Sequence, residues 1–339
     1  MIVKKLPISA DFPSFETIEK MGEITGFEDN SEPVFYDIET TGLSRKSCFI
    51  YLIGAIARDG SGWVLCQWMA EDLSEENKII QSFFDCIQGC TGLIQYNGSR
   101  FDQPFLEARA GQYNVESPLS GLRSLDLYKE LKVCRPLLGL SGMKQSDLEI
   151  FLRQAPRRFC DGGKCIQIYR AYLHSKGSDL AEIVLGHNRE DLIGLGNITS
   201  MLGYRAFYKG IYTLFTASEK DGTYSALLSL PTPLPVPVSV KTDFFSLEAS
   251  ESEAKVTVPV TNGKMKQYYA DYKNYDYIPA EDTAIPRAIS QYMDKRLKKP
   301  AVPETCYTWF PCGDDFMKDH GRQLQYLRHT LPCMLSLLK

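Results

Sequence analysis

The sequence predicts an α/β domain followed by a strand-rich α+β domain, and three observations support this prediction. Apolar runs that end in tight turns alternate with segments of helical periodicity between about residues 31 and 204. Short alternating runs rich in proline and tyrosine dominate residues 205–339. The length of 339 residues is typical of two domains. Residues 1–30 are predicted to form a lead-in, with a helix near Phe15–Met21.

The segments of the first domain follow a clear order. "VFYDI" predicts a strand, and residues 48–70 predict two strands joined by a tight turn at Asp59-Gly60. The later segments are a helix over 74–88 capped by Ser74, a strand over 92–97, a helix over 101–113, a strand running into a helix over 122–132, and mostly helix over 143–197.

Two features of the second domain have specific patterns. "TNGK", at 261–264, is typical of a tight hairpin. Residues 286–299 predict a basic helix, in which Ile289, Tyr292, Met293 and Leu297 would form the buried stripe and the cations would face solvent.

Composition excludes several classes of protein. Hydrophobic residues make up 44% of the chain and charged residues 24%, as in ordinary globular proteins. No run approaches about 18 apolar residues, so no membrane span is expected. The N-terminus lacks an apolar signal segment, which predicts a cytoplasmic protein. The formal net charge of −4 excludes a uniformly basic protein, although local basic segments remain.

Two acids stand on alternate residues in "FYDIETTGL". On a strand, Asp37 and Glu39 project from one face, where like charges raise each other's pKa unless a cation lies between them. Such oxygen ligands are typical of Mg²⁺ or Mn²⁺ sites. The alternative is a solvated edge strand, but the apolar flanks favour a central one.

Three further residues complete the pattern. Asp102, in "YNGSRFDQPFL", begins a helix directly after a strand, and its alternative role is that of a helix cap. His187 and Asp191, in "GHNREDLIGL", share one face of a helix. Alone, this last pair is weak, because a surface Asp beside a His is usually without function.

Together, "DIETTGL", "NGSRFD" and "HNREDLIGL" resemble the three motifs of the DEDD, or DnaQ-like, 3′–5′ exonucleases of the ribonuclease H-like superfamily. They are most similar to those of the bacterial YprB-like predicted exonucleases. The resemblance covers about residues 30–205. It implies a ribonuclease H-like core over 31–204, with a mixed sheet in the DnaQ-like strand order and helices on both faces.

The resemblance also implies a mechanism. Asp37, Glu39, Asp102 and Asp191 would hold two Mg²⁺ or Mn²⁺ ions, and His187 would serve as general base or would only orient water. One departure concerns His187: three residues separate it from Asp191, which is the spacing of the tyrosine type of this superfamily, whereas the histidine type has four.

Substrate-binding residues are predicted from the same resemblance. Thr41, Leu43, Asn97 and Phe101 would line the groove for the terminal nucleotides, although core packing is an alternative for Leu43 and Phe101. Two basic segments, residues 153–176 with Arg157 and Arg158, and residues 287–299, could bind phosphates, or could be solvated helix faces.

The function implied is a two-metal-dependent 3′–5′ exonuclease acting on single-stranded ends. A structure-selective endonuclease and a non-catalytic nucleic-acid-binding protein of the same fold are the alternatives. The choice between DNA and RNA stays open, protein partners are unknown, and no membrane partner is expected. Residues 205–339 are predicted to be an accessory domain of unknown function.

Overall fold

The computed structural model describes residues 1–8, 12–13, 22–27, 32–60, 62–159 and 162–338. The chain divides into two compact units, one made of Met1–Lys132 with Ser141–Ser200 and the other of Val133–Leu140 with Met201–Lys339. The helix predicted near residues 15–21 lies outside the described residues.

The first unit alternates strands and helices. In chain order they are β1 (Ile2–Ile8), α1 (Gly22–Thr25), β2 (Pro33–Thr40), β3 (Ile50–Asp59), β4 (Gly62–Met69), α2 (Glu76–Cys86), β5 (Gly92–Gln95), α3 (Asp102–Gln112), β6 (Arg123–Asp126), α4 (Leu127–Leu131), α6 (Gln145–Phe151), α7 (Gly162–Ser175) and α8 (Ser178–Ile198). The short helix α5 (Arg135–Leu138) belongs to the second unit.

A mixed sheet organises this unit. Within the described residues it has six strands in the order β1-β4-β3-β2-β5-β6. β2, β5 and β6 run parallel, whereas β1, β4, β3 and β2 pair antiparallel. Because β2 has a neighbour on each side, it is a central strand, and seven of its eight residues are buried. The alternative of a solvated edge strand is therefore wrong.

One face of the sheet packs against α2 and α3. Val34, Tyr36 and Ile38 of β2 share a buried cluster with Phe83 of α2 and Phe105 of α3. These residues of β2 alternate with Phe35, Asp37 and Glu39, so the two acids project from the opposite face.

The opposite face packs against α7 and α8. Tyr51 of β3 and Met69 of β4 lie in a cluster with Tyr169 of α7 and Val184 of α8. Helices thus cover both faces of a mixed sheet, which confirms the predicted α/β architecture.

The first strand and one helix cap differ from the prediction. β1 was not predicted, yet it pairs antiparallel with β4 over its whole length. Ser74 does not cap α2: it lies in a 3₁₀ turn over Leu73–Glu75, where its N–H donates to Oδ1 of Asp72 at 2.8 Å. The apolar residues at helical spacing nevertheless form α2 as predicted.

The second unit is rich in strands, as predicted. Besides α5, its elements are α9 (Leu202–Lys209), β7 (Thr213–Lys220), β8 (Thr223–Lys241), β9 (Ser246–Pro259), β10 (Lys264–Tyr268), β11 (Tyr275–Ile278), β12 (Thr283–Pro286), α10 (Arg287–Ser290), β13 (Lys299–Pro300), β14 (Tyr307–Pro311), α11 (Asp314–Met317) and α12 (His320–Ser336). Among the described residues they form the sheets β7-β8-β9, β12-β11-β13 and β10-β14.

The "TNGK" turn forms, but its strands separate beyond it. Thr261 and Lys264 exchange backbone hydrogen bonds of 2.8 and 3.0 Å, and Asn262 and Gly263 both have positive φ, as this tight turn requires. β9 then joins β8, whereas β10 joins β14. The turn therefore connects two sheets rather than two strands of one hairpin.

The long basic helix predicted over 286–299 is wrong. Only α10 and a 3₁₀ turn over Lys295–Leu297 are helical there. Three of the four apolar residues of the expected buried stripe are exposed, with Ile289 at 62%, Tyr292 at 88% and Leu297 at 55%, and Met293 is half-buried. Without a buried stripe, helical spacing alone provides no packing to hold a helix.

Among the helices that the structure describes, none has the length and apolar character needed to cross a membrane.

Candidate active site

The site begins at the end of β2. Asp37 is half-buried and Glu39 is buried, on the sheet face that α8 covers. The register between β2 and β3 shifts between Glu39 and Thr40. An irregularity of this kind bends the strand directly after the second acid, and such bulges are common beside active sites.

Helix α8 brings His187 and Asp191 to the two acids. Nε2 of His187 lies 3.2 Å from Oε1 of Glu39 and 3.1 Å from Oδ2 of Asp191. One ligand atom from each of these three residues lies within 4.8 Å of the others. The four-residue spacing of His187 and Asp191 places both on one helix face, which allows this contact.

Asp102, on helix α3, contacts the same strand. It is the first residue of α3 and is buried, and its Oδ1 accepts a 3.3 Å hydrogen bond from the N–H of Ile38, between the two acids of β2. The cap position of α3 is Phe101, and no side chain caps it. The carboxylate of Asp102 thus contacts the backbone of β2.

Burial and crowding raise the pKa values of Asp37, Asp102 and Asp191. Burial raises the pKa of Asp37 well above its usual value, and repulsion from Asp191, Asp102 and Glu39 adds to the shift. Burial raises the pKa of Asp102 to about 7 and that of Asp191 to about 6. An ionised cluster of this kind is costly without a neutralising cation.

His187 experiences opposing effects. Burial lowers its pKa, but the carboxylates of Glu39 and Asp191 outweigh burial, so its pKa is raised. The side chain is only 6% exposed, so the acids rather than water determine its protonation.

A hydrogen-bonded relay positions Asp37. Nε2 of Gln67, on β4, donates to Oδ1 of Asn188 at 2.8 Å and to the backbone oxygen of Leu185 at 2.9 Å. Nδ2 of Asn188 then donates to Oδ2 of Asp37 at 2.9 Å. Gly54, opposite Asp37 on β3, provides the space: a Cβ there would overlap Oδ1 of Asn188 and lie 2.6 Å from Cδ1 of Leu192.

Arg157 binds acids of the site. Its Nε and Nη2 donate to both oxygens of Glu149, at 2.8 and 2.7 Å, and its Nη1 forms an ion pair with Oδ1 of Asp191. The same Glu149 accepts a 3.0 Å hydrogen bond from Gln145, whose Nε2 also donates to the backbone oxygen of Asp191. α6 thereby fixes the turn of α8 that carries Asp191.

Residues 34–202 match the model of the RNase_H superfamily. This stretch contains the sheet face, the carboxylates and the helix described above.

Residues 34–202 have a ribonuclease H-like fold.

None of the curated proteins matches the sequence. Among solved structures, the family B DNA polymerase of the hyperthermophilic archaeon Pyrobaculum calidifontis aligns at 16% identity over 55% of this chain and 26% of its own, with a TM-score of 0.44. A zinc-bound E. coli exonuclease I–single-stranded DNA complex aligns at 14% identity over 59% of this chain and 54% of its own, with a TM-score of 0.32. The alignments therefore span about a quarter of the polymerase and about half of that exonuclease.

The predicted substrate residues lie around the ribonuclease H-like site in different settings. Thr41 is tied into the loop after β2, where its Oγ1 accepts a 2.9 Å hydrogen bond from the N–H of Phe49. Leu43, in the same loop, is 84% exposed, so its alternative as a core residue is wrong. Phe101 is half-buried against the core beside α3, and Arg158 is exposed.

Asn97 lies in a loop fastened by Asp126. The backbone N–H of Asn97, which has φ of 58°, donates to Oδ1 of Asp126 at 2.8 Å, and the N–H of Ser99 donates to Oδ2 at 3.3 Å. The side chain of Asn97 is exposed, and the fastened loop leads directly into α3 and Asp102.

The donor set of the ribonuclease H-like site fits a divalent cation. Ligand atoms of Glu39, His187 and Asp191 lie within 4.8 Å of one another. Asp37 and Asp102 are close enough for repulsion from neighbouring acids to add to their raised pKa values, and carboxylate oxygens are ligands that hard cations prefer. A cation among Asp37, Glu39, Asp102 and Asp191 would stabilise the charged forms of these acids and so oppose the burial and repulsion that raise the pKa values of Asp102 and Asp191.

Sequence reasoning missed the residues that support the acids. Asn188 directly follows His187, and Gln67 is a lone amide within the apolar strand "VLCQWM". Both residues could therefore have been recognised from the sequence as candidates to support the site. Tyr51, whose hydroxyl lies 3.4 Å from Oε2 of Glu39 and whose ring stacks on Tyr169, carried none. Glu149 lies on a separate short helix, and its contact depends on the tertiary fold.

Proposed function

We propose that the protein is a metal-dependent nuclease of the DEDD type, acting as a 3′–5′ exonuclease on single-stranded ends. The observation that carries the proposal is the convergence of Asp37, Glu39, Asp102 and Asp191 beside His187 in a ribonuclease H-like fold. The order of these residues along the chain and their resemblance to the DnaQ-like and YprB-like motifs support the same function.

Asp37, Glu39, Asp102 and Asp191 would hold two Mg²⁺ or Mn²⁺ ions. When bound, such ions activate water and stabilise charge on the phosphate and on the leaving oxygen. The chain orients these ligands through Asn188, which donates to Asp37, and through the Ile38 N–H, which donates to Asp102. Ligands held by outer hydrogen bonds need little rearrangement for binding.

His187 would handle the proton of the attacking water. Nε2 faces Glu39 and Asp191 at 3.2 and 3.1 Å, so the ring is held where the acids converge. As general base it would accept the proton at this nitrogen. The alternative is that it only orients the water, and replacement by Asn and by Gln distinguishes the two roles through the pH profile of the rate.

The exposed rim would receive the nucleic acid strand. Leu43, on the loop after β2, would wedge against the terminal base, and Thr41, Asn97 and Phe101 would shape the groove. Arg158, which is exposed, would contact a phosphate. Arg157 is already paired with Glu149 and Asp191, so most of its charge is neutralised and it is less available to a phosphate than Arg158.

The decisive experiment uses 5′-labelled single-stranded DNA and RNA with Mg²⁺, Mn²⁺ or EDTA. We expect a ladder from the 3′ end that requires metal. Asp37→Asn should reduce the rate at least about 100-fold, because metal chemistry contributes several kcal/mol to such reactions. Asp59→Asn is the control, since Asp59 is an exposed acid at the end of β3 that pairs with Lys5.

Other products would assign other functions. Internal cleavage would identify the endonuclease, and binding without cleavage in either metal would identify a non-catalytic nucleic-acid-binding protein. Comparison of the two labelled strands decides between DNA and RNA. The predicted cytoplasmic location can be tested by fractionation of cells that make the protein.

A further inference from the structure

The basic segment 287–299, in the second unit, has an unusual surface. Of the nine large apolar side chains that are exposed in the described part of the chain, four lie between residues 289 and 302: Ile289, Tyr292, Leu297 and Val302. Tyr292 is the most exposed of all nine, at 88%. Single exposed apolar residues are normal, whereas four within 14 residues of sequence are a concentration that suggests a binding surface.

The same segment is rich in cations. The basic segment contains Arg287, Lys295, Arg296, Lys298 and Lys299, and Asp294 is its single acid. Asp294 pairs with Arg296 at 2.8 Å, and Lys298 is directed inward. Lys295 and Lys299 are both exposed and flank the exposed Leu297.

A buried anchor holds the segment in this conformation. Asp276 of β11 is 7% exposed and contacts both ends of the segment. Its Oδ2 accepts a 2.5 Å hydrogen bond from Ser290 and lies 3.0 Å from Nζ of Lys298, and its Oδ1 lies 3.3 Å from Nε of Arg287. Nζ of Lys298 also donates to the backbone oxygen of Ser290 at 2.5 Å. The apolar side chains are therefore displayed by an ordered loop.

We propose that the basic segment 287–299 binds single-stranded nucleic acid, with the ring of Tyr292 stacking on an unpaired base and Lys295 and Lys299 contacting phosphates. Exposed aromatic rings among cations are the combination that single strands need, because every base has a face to stack and every phosphate a charge. The choice of a polynucleotide over an anionic membrane rests on the proposed function.

Equilibrium binding tests this proposal without any cleavage. Fluorescence anisotropy in EDTA measures the affinity for labelled oligothymidylate and oligouridylate of about 20 nucleotides, longer than one typical single-strand site. Tyr292→Ala should weaken binding about 5- to 150-fold, the equivalent of about 1–3 kcal/mol for one stacked base. Phe215→Ala is the matched control, because Phe215 is an aromatic residue of the same unit and is 72% exposed.

Substitution of the two lysines should change the salt dependence of binding and should not affect the stacking of Tyr292 on a base. The double variant Lys295→Ser with Lys299→Ser should reduce the slope of log affinity against log salt by about 1.4, or about 0.7 for each phosphate contact on a single strand. Lys220→Ser with Lys241→Ser, which removes two exposed lysines of the same unit, should leave the slope unchanged. A duplex provides a further control, because its bases are already stacked and Tyr292→Ala should not affect its binding.

Three results would overturn the proposal. First, Tyr292→Ala could bind single strands as tightly as Phe215→Ala does. Second, Tyr292→Ala could weaken binding to the duplex as much as it weakens binding to single strands. It could also lose binding to phosphatidylserine vesicles while keeping its affinity for oligonucleotides, which would assign the segment to a membrane surface. Hydrolysis of the p-nitrophenyl ester of thymidine monophosphate with Mn²⁺ tests the nuclease activity separately. If this hydrolysis fails, the proposed nuclease activity is wrong, whereas the binding proposal is still decided by the anisotropy measurements.

Discussion

Nδ2 of Asn188 on helix α8 donates a 2.9 Å hydrogen bond to Oδ2 of Asp37 on strand β2. Because Gln67 occupies Oδ1 of the same amide, the orientation of Asn188 is fixed and only its NH₂ group can face the acid. An amide held in this way orients a carboxylate without competing for its second oxygen.

Asn188→Ala should therefore weaken metal binding about 10- to 100-fold, the usual effect of losing a residue that orients a ligand. Isothermal titration with Mn²⁺ measures this affinity. Asn197→Ala makes the same chemical change on the same helix and should bind Mn²⁺ as the unchanged protein does. Equal affinity in the two variants would show that the relay does not orient Asp37.

Gly54→Ala should disturb the site without removing any functional group. The added methyl would overlap Oδ1 of Asn188 and crowd Leu192. We expect a loss of about 1–3 kcal/mol in the free energy of unfolding, as is typical of overpacking, together with reduced nuclease activity. Urea denaturation measures the first effect. Gly62→Ala is the control, because no atom lies within 4 Å of a Cβ at that position.

Asp102→Asn should change how stability depends on pH in EDTA. The pKa of Asp102 is about 7 in the folded protein against 3.8 in a model acid, so the folded state binds this proton more tightly. The contribution of this bound proton to the free energy of unfolding is fully present below about pH 4 and decreases as the pH rises towards 7. Thermal unfolding should show the variant gaining stability relative to the unchanged protein between pH 5 and 8.

Added Mg²⁺ provides the complementary measurement. It should raise the melting temperature of the unchanged protein at pH 8 more than that of Asp102→Asn, because the variant has lost a charged ligand. A gap in stability that stays constant with pH would contradict the raised pKa.

Leu43→Ala should leave folding unaffected and weaken the use of oligonucleotides. Leu43 is 84% exposed, so the change in unfolding free energy should stay within about 0.5 kcal/mol. Loss of a wedge against the terminal base should reduce kcat/KM on single strands several-fold while sparing the p-nitrophenyl ester. Ile150→Ala, at a residue 74% exposed in the same unit, is the control. Equal kinetics in the two variants would exclude the wedge.

Glu76→Gln should affect stability far more than chemistry. Glu76 is fully buried and forms an ion pair with Arg109, and it also accepts hydrogen bonds from the Ile50 N–H and the Tyr113 hydroxyl, both at 2.7 Å. Leaving Arg109 without its charged partner should cost about 3–5 kcal/mol. Glu71→Gln, at an exposed acid paired with the N-terminus, should cost less than about 1 kcal/mol. Urea denaturation compares the two variants.

Local patterns determined which parts of the ribonuclease H-like fold could be predicted. β2, β3 and β4 are nearly continuous apolar runs with a tight turn, and α2 has apolar residues at helical spacing, so each was predicted from its own segment. β1 alternates exposed and half-buried residues and acquires its conformation from pairing with β4, which no local pattern shows.

The same limit applies to the candidate site and to the basic segment. The acids stand in recognisable strings, but the contact of Arg157 with Glu149 depends on two elements meeting in space. Residues 286–299 have helical spacing, yet Asp276 of the neighbouring strand β11 binds Ser290 and Lys298 and holds a loop instead. Tertiary contacts, rather than local periodicity, determine the conformation of that segment.

The bond between Asp37 and Asn188 joins residues 151 positions apart. A ribosome adding roughly 5–20 residues per second needs about 8–30 s to synthesise that interval. Throughout that time the growing chain exposes β2 without the helix that completes the acidic cluster. On the proposed function, the site would stay incomplete while the chain is being translated beside its own messenger RNA, and it would become active only when α8 has left the exit tunnel and docked.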